Sequence, residues 1–140
     1  MFKVILLITA MIPIVAHAQK LSYEQRVDKV IAAFEKDLKP VVSKSCFHCH
    51  NKDHWPWYVF LPALKKEVKL AVKEFDMSGK FPYGGRDEIE DVLLSINEVI
   101  DFETMPPKAY KKFRPKRKIK KKQREEILDW IDTNLELLEE

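Results

Sequence analysis

Apolar residues recur along this chain at spacings of three and four, and no run alternates with period two for long enough to mark a strand, so the pattern predicts an all-α protein. Ser22 followed by Gln25 has the form of a capping box. Val27, Val30, Ile31, Phe34 and Leu38 then mark one face of a first helix, which Lys39-Pro40 is expected to end. Pro62 suits the first turn of a second helix, whose face runs through Leu64, Val68, Ala71, Val72 and Phe75 to Ser78-Gly79. Asp87 with Glu90 repeats the capping-box pattern ahead of a third, carried by Ile89, Val92, Leu93, Ile96, Val99 and Ile100. A fourth carries Ile127, Leu128, Ile131, Leu135 and Leu138.

Two stretches break the period. "GKFPYGG" at 79–85 reads as a turn-rich loop. The segment 102–118, "FETMPPKAYKKFRPKRK", cannot prolong the third helix, because Pro106 and Pro107 lack amide donors and push the residue before them out of helical geometry. Met105 is therefore expected in extended chain.

The first twenty residues have another character. One lysine, an apolar stretch broken by Thr9 and Pro13, and the small-x-small triplet Ala16-His17-Ala18 read as a secretory signal peptide over 1–18. Export to the periplasm follows, with anchoring to the inner membrane by an uncleaved signal as the alternative. The remaining 19–140 has single-domain length. Without Lys3 it holds 24 basic and 22 acidic residues, but they are unevenly placed. Lys111 to Arg124 carries ten basic residues among fourteen, read as a basic loop, whereas Glu125 to Glu140 carries seven acidic residues and no basic one.

Chemistry concentrates in "SKSCFHCHNKDHWPWY" at 43–58, with both cysteines, three of the four histidines and two of the three tryptophans. Cys46-x-x-Cys49-His50 is the pattern of covalent c-type haem attachment. Two thiols about one turn apart can reach two vinyl groups of one porphyrin, and the next residue then presents its imidazole to the iron as proximal ligand. Other chemistries use the same residues. A Cys46–Cys49 disulfide would close too short a loop to constrain the unfolded chain much. A zinc site of Cys46, Cys49, His50 and His54 has suitable ligand types in a crowded span, and a thioredoxin-like pair lacks its βαβ setting.

The sixth iron position decides function. Met77, Met105, His48 and His54 carry side chains able to fill it, and Met105, some fifty-five residues beyond His50 beside two prolines, suits a loop crossing the far face; its plain alternative is a loop methionine. Met77 falls on the apolar face of the second helix and reads as packing. His48 is expected to face solvent, and His54 to lie at the surface or against a propionate. Trp55, Trp57, Tyr58 and Tyr110 are candidates to wall the haem, or simply to fill the core.

Together, Cys46-Phe47-His48-Cys49-His50, Trp55-Pro56-Trp57-Tyr58, Met105-Pro106 and Tyr110 resemble the small bacterial exported haem-binding domain proteins, over about 40–133. The resemblance implies a cytochrome c-like haem domain with His50 as proximal and Met105 as distal ligand. The chain departs from the pattern at Asn51-Lys52-Asp53-His54, where the family usually has Ser-Asn and one more residue, and it lacks the histidine that often follows the tyrosine. "FDMS" at 75–78 resembles a family segment with an aromatic in place of Met77, which supports packing for that residue.

The expectation is a single cytochrome c-like domain of about four helices around one covalently attached haem, with first and last helices packed together. With both axial positions filled, the protein carries single electrons and is not an enzyme. Its partner would be a redox protein with an acidic docking face, and an anionic membrane surface is a second candidate contact; nucleic acid is not a partner for an exported chain. The rival is a haem enzyme or sensor with an open distal site, reducing peroxide or binding a small gas, and a third reading is an accessory haem domain in a larger complex.

Overall fold

The computed structural model describes residues 20–140 apart from 56, 58–61, 84, 86 and 87. The expected signal peptide, Tyr58 and the Asp87 half of the second capping box lie outside the described residues. Among those described, the regular structure is helical throughout, with no strand. Among the described residues no helix is long and apolar enough to cross a membrane.

The capping box at Ser22 forms as the sequence predicts. Its hydroxyl accepts from the Gln25 amide at 3.3 Å, and the Ser22 amide donates to the Gln25 side chain at 3.0 Å. Helix α1 then runs over Tyr23–Ala33. Lys39-Pro40 does not end it. A π-helical stretch, Phe34–Leu38, follows, in which the Lys39 amide bonds the Phe34 carbonyl five residues back, and α2 covers Lys39–Ser45. This slip of register restarts the helix, so Pro40 sits in a first turn, where a missing amide costs nothing. The helical path therefore continues to the cysteines.

Five further helices and a short turn follow among the described residues: α3 (Phe47–His50), α4 (Pro62–Glu74), α5 (Ile89–Asp101), α6 (Lys108–Phe113), a 3-10 turn (Pro115–Arg117) and α7 (Lys121–Glu139). The basic run is thus not a plain loop; it spans the end of α6, the 3-10 turn and the start of α7. Charge periodicity hides this, because a lysine-rich run carries no apolar stripe.

Helix α7 packs most extensively against α5 and also meets α1, so first and last helices touch as expected. Phe34, Ile89, Leu93 and Ile131 are fully buried where these helices converge. Each such side chain contributes about 1.5–3 kcal/mol by leaving water. Asn97 adds a polar tie, donating to Asp132 at 3.2 Å. The 79–85 loop also feeds the core, since Phe81 stacks on Phe34 with ring centroids 3.8 Å apart. A smaller cluster, Val68 and Tyr110 with Cys49, Trp55 and Leu64, lies where α4 meets α3.

Candidate functional site

Helix α2 delivers the cysteine motif directly. The Cys46 amide bonds the Val42 carbonyl at 2.7 Å, and the Cys49 and His50 amides return to the Cys46 carbonyl at 3.0 and 3.1 Å. One helical turn therefore carries Cys46 and His50 at i and i+4, the spacing that puts side chains on one face.

That face opens on a cavity of about 230 Å³ lined by Cys46, His50, Met77 and Met105. Val41, Val42, Ile96, Val99 and Ile100 supply much of its wall, and Glu74 is the one carboxylate among the described lining residues. Met105 arrives there through the end of α5. Glu103 takes a left-handed conformation, φ 53°, which turns the chain. The Met105 amide and the Thr104 hydroxyl then both donate to the Val99 carbonyl, at 3.4 and 3.3 Å. The Met105–Pro106 peptide is cis.

His50 is oriented from behind. Its Nδ1 lies 2.8 Å from the Phe75 carbonyl oxygen. A carbonyl only accepts, so Nδ1 holds the proton and Nε2 keeps its lone pair, the tautomer a metal ligand needs. The Met77 amide donates to the His50 carbonyl at 2.6 Å. Segment 75–78 is itself clasped. Asp76 accepts from Lys52 Nζ at 2.8 Å, from the Ser78 amide at 2.9 Å and from the Ser78 hydroxyl at 2.5 Å, and Ser78 Oγ accepts from the Lys52 amide at 3.0 Å. The bonds from Lys52 and Ser78 hold the Asp76 carboxyl down at about 2. Sequence reasoning missed this clasp, since its members lie 24 to 26 residues apart in polar segments without periodicity.

Other expected residues fall elsewhere. Cys49 sits in the small cluster with Tyr110 and Trp55 rather than on the cavity wall. Burial pushes the Cys46 thiol up to about 12 and raises that of Cys49 too. Both thiols are free, so no disulfide joins them. Trp57 is 75% exposed, and His54 lies at the surface beside Asn51 and Trp55. His48 does not face solvent. It is held half-buried, with Arg117 donating to Nε2 at 2.8 Å and Nδ1 3.1 Å from the Tyr110 hydroxyl oxygen. Arginine only donates, so Nε2 accepts and Nδ1 carries the proton. Burial first, then Arg117 and Arg114, lowers the His48 pKa. Among the described residues no three His, Cys, Asp or Glu side chains converge as a metal ion would need, which removes geometric support from the four-ligand zinc alternative.

A family model described as "Haem-binding domain" matches residues 4–133. The chain belongs to this haem-binding domain family. It is also 30% identical over 95 residues to "Cytochrome c peroxidase Ccp" of Escherichia coli (strain K12), an alignment covering 63% of this chain and 20% of that protein. The chain thus spans about a fifth of that relative's length. No solved structure matches it. The chemistry of the cavity lining suits the family's group. Its walls are apolar, as a porphyrin requires, and they carry an imidazole of the ligating tautomer, a methionine thioether from a different segment and the first thiol of the attachment motif. His50 and Met105 could hold the iron there and Cys46 the macrocycle, while Cys49 lies in the neighbouring cluster and not on this wall.

Proposed function

We propose that this member of the haem-binding domain family is a periplasmic mono-haem c-type electron carrier, its haem bonded through Cys46 and Cys49 and its iron held by His50 and Met105. The observation that carries this reading is that His50 and Met105, from segments far apart in sequence, line one apolar cavity together with Cys46. The haem, when bound, supplies a one-electron ferric/ferrous couple. The chain's own part is to hold it. The Phe75 carbonyl fixes the His50 ring, the apolar wall would keep water from the iron, and Met105, holding the iron together with His50, would leave no open site for substrate. Methionine ligation also favours the ferrous state relative to a second histidine.

The likeness to a protein named cytochrome c peroxidase favours a second reading, in which the Met105 side is displaceable and the chain reduces peroxide. Glu74, the one carboxylate among the cavity's described lining residues, would then have to move the proton.

The test is the absorption spectrum, ferric and then reduced, of the mature protein produced with haem-attachment machinery. A low-spin haem with the weak long-wavelength band of methionine sulfur on ferric iron is expected for the electron carrier. A high-spin ferric spectrum would move the assignment to the enzyme.

A further inference from the structure

Positive charge gathers beside the cysteine motif. The segment 114–118 does not hang free: Arg117 donates to the Lys44 carbonyl at 3.1 Å and to His48, and the Ser45 hydroxyl donates to the Arg117 carbonyl at 3.2 Å. These ties hold the basic segment against the two residues that precede Cys46. A groove of about 260 Å³ results, lined by Lys44, Lys116, Lys118, Lys120 and Lys122 beside buried Ser45. A second depression shares Lys44 and Lys116 and adds Arg114 and Arg117.

Further along α7 the positive charges are matched, Lys121 to Glu125 and Lys122 to Glu126 at 3.7 Å each, and Arg124 to Glu103. Lys44, Lys116, Lys118 and Lys120 are exposed and have no carboxylate within 4 Å among the described residues. Four ammonium groups gathered on one tethered surface repel one another, and an anionic surface relieves that repulsion on contact.

We propose that Lys44, Lys116, Lys118 and Lys120 form a docking face for the acidic surface of a protein that exchanges electrons with this chain. The proposal rests on the electron-carrier reading. Charge complementarity sets the sign of the partner, and position sets its role, because the face borders the attachment motif through Lys44 and Ser45. A partner seated there comes close to the edge of the group bonded at Cys46. The face suits a protein rather than a bilayer. The exposed large apolar residues among those described, Tyr23, Trp57, Leu70, Leu94 and Phe102, all lie outside it, so it offers no apolar anchor to a lipid interface.

The experiment compares two one-electron donors to the ferric holoprotein: reduced flavodoxin, an acidic protein, and reduced lumiflavin, an uncharged small flavin. Each donor loses one electron and the haem iron goes from ferric to ferrous. The fourfold variant K44E/K116E/K118E/K120E is set against K65E/K66E/K69E/K73E, which changes net charge equally on exposed positions of α4. At low salt the flavodoxin rate is expected to fall at least about tenfold in the first variant and at most about threefold in the second. Lumiflavin should reduce all three proteins alike, and roughly 0.5 M salt should merge the flavodoxin rates. Equal slowing in the two variants, or none in either, overturns the docking face. So does binding of the wild type, but not the first variant, to phosphatidylglycerol vesicles with the flavodoxin rate unchanged, which would assign the face to lipid. Lumiflavin reducing the haem while flavodoxin ignores the lysines refutes the face alone; failure of both donors removes the electron-carrier reading and the face with it.

Discussion

His50 Nδ1 and the Phe75 carbonyl oxygen, 25 residues apart in sequence, lie 2.8 Å from each other. The bond withdraws one ring nitrogen from competition and makes the other more basic toward iron. Because the acceptor is a backbone atom, its position depends on the clasp that holds segment 75–78. The double variant Asp76→Asn, Ser78→Ala should loosen that carbonyl, weaken electron donation by His50 and stabilise ferric iron less. A redox titration of the holoprotein should show a higher reduction potential than wild type. A lower or unchanged potential would mean the clasp does not govern the imidazole.

The same clasp has a pH dependence. Asp76 is held at about 2 against an ordinary value of 3.8, with Lys52 as the leading cause and Ser78 next. A carboxyl whose folded pKa is depressed stabilises the fold fully above its unfolded value, and the contribution is lost as pH falls toward the folded one. The pair is largely solvent-exposed, so the effect is small. Chemical unfolding of wild type and Asp76→Asn should differ by a constant amount above about pH 5, and the difference should close as pH falls from about 4 toward 2. A gap that widens on acidification would contradict the assignment.

Arg117 ties the basic segment to the haem-attachment motif through the Lys44 carbonyl and His48. Hydrogen bonds to a charged donor are each worth about 1.5–3 kcal/mol. Arg117 is partly exposed, so Arg117→Ala should cost about 1–2 kcal/mol in denaturant unfolding, against less than about 0.5 kcal/mol for exposed Lys116→Ala. The His48 pKa, lowered by burial and then by Arg117, should rise toward its ordinary value in Arg117→Ala. Histidine resonances followed by NMR against pH would report this, and a further fall would contradict it.

Core packing gives the largest stability effect. Leu93 on α5 and Ile131 on α7 are fully buried, and truncating either to Ala should cost about 2–5 kcal/mol by lost burial plus the cavity left behind. A loss under 1 kcal/mol in equilibrium unfolding would show the α5–α7 seam to be less tightly packed than described.

The apolar period carried most of the fold. Val27, Val30, Phe34 and Leu38 form one buried face, as do Ile89, Val92, Leu93, Ile96 and Ile100, because helix periodicity is a local signal that tertiary packing only has to accept. Pro40 misled for a physical reason. A proline marks a helix end only if the register is unbroken, and the π-helical stretch before it resets that register. Within the site, the cysteine motif declared itself through spacing. The partners of His48 and His50 did not, since Tyr110, Arg117 and the Phe75 carbonyl are 62, 69 and 25 residues away and one of them is backbone, which no side-chain pattern encodes.

Met77 and Met105 line the same cavity, so the ferric absorption spectrum of the holoprotein, beside those of Met105→Ala and Met77→Ala, tests the central assignment most directly. Met105→Ala should lose the weak long-wavelength methionine band and turn high-spin, while Met77→Ala keeps the band at the cost of some stability. Loss of the band in Met77→Ala with Met105→Ala unchanged would contradict His50/Met105 ligation.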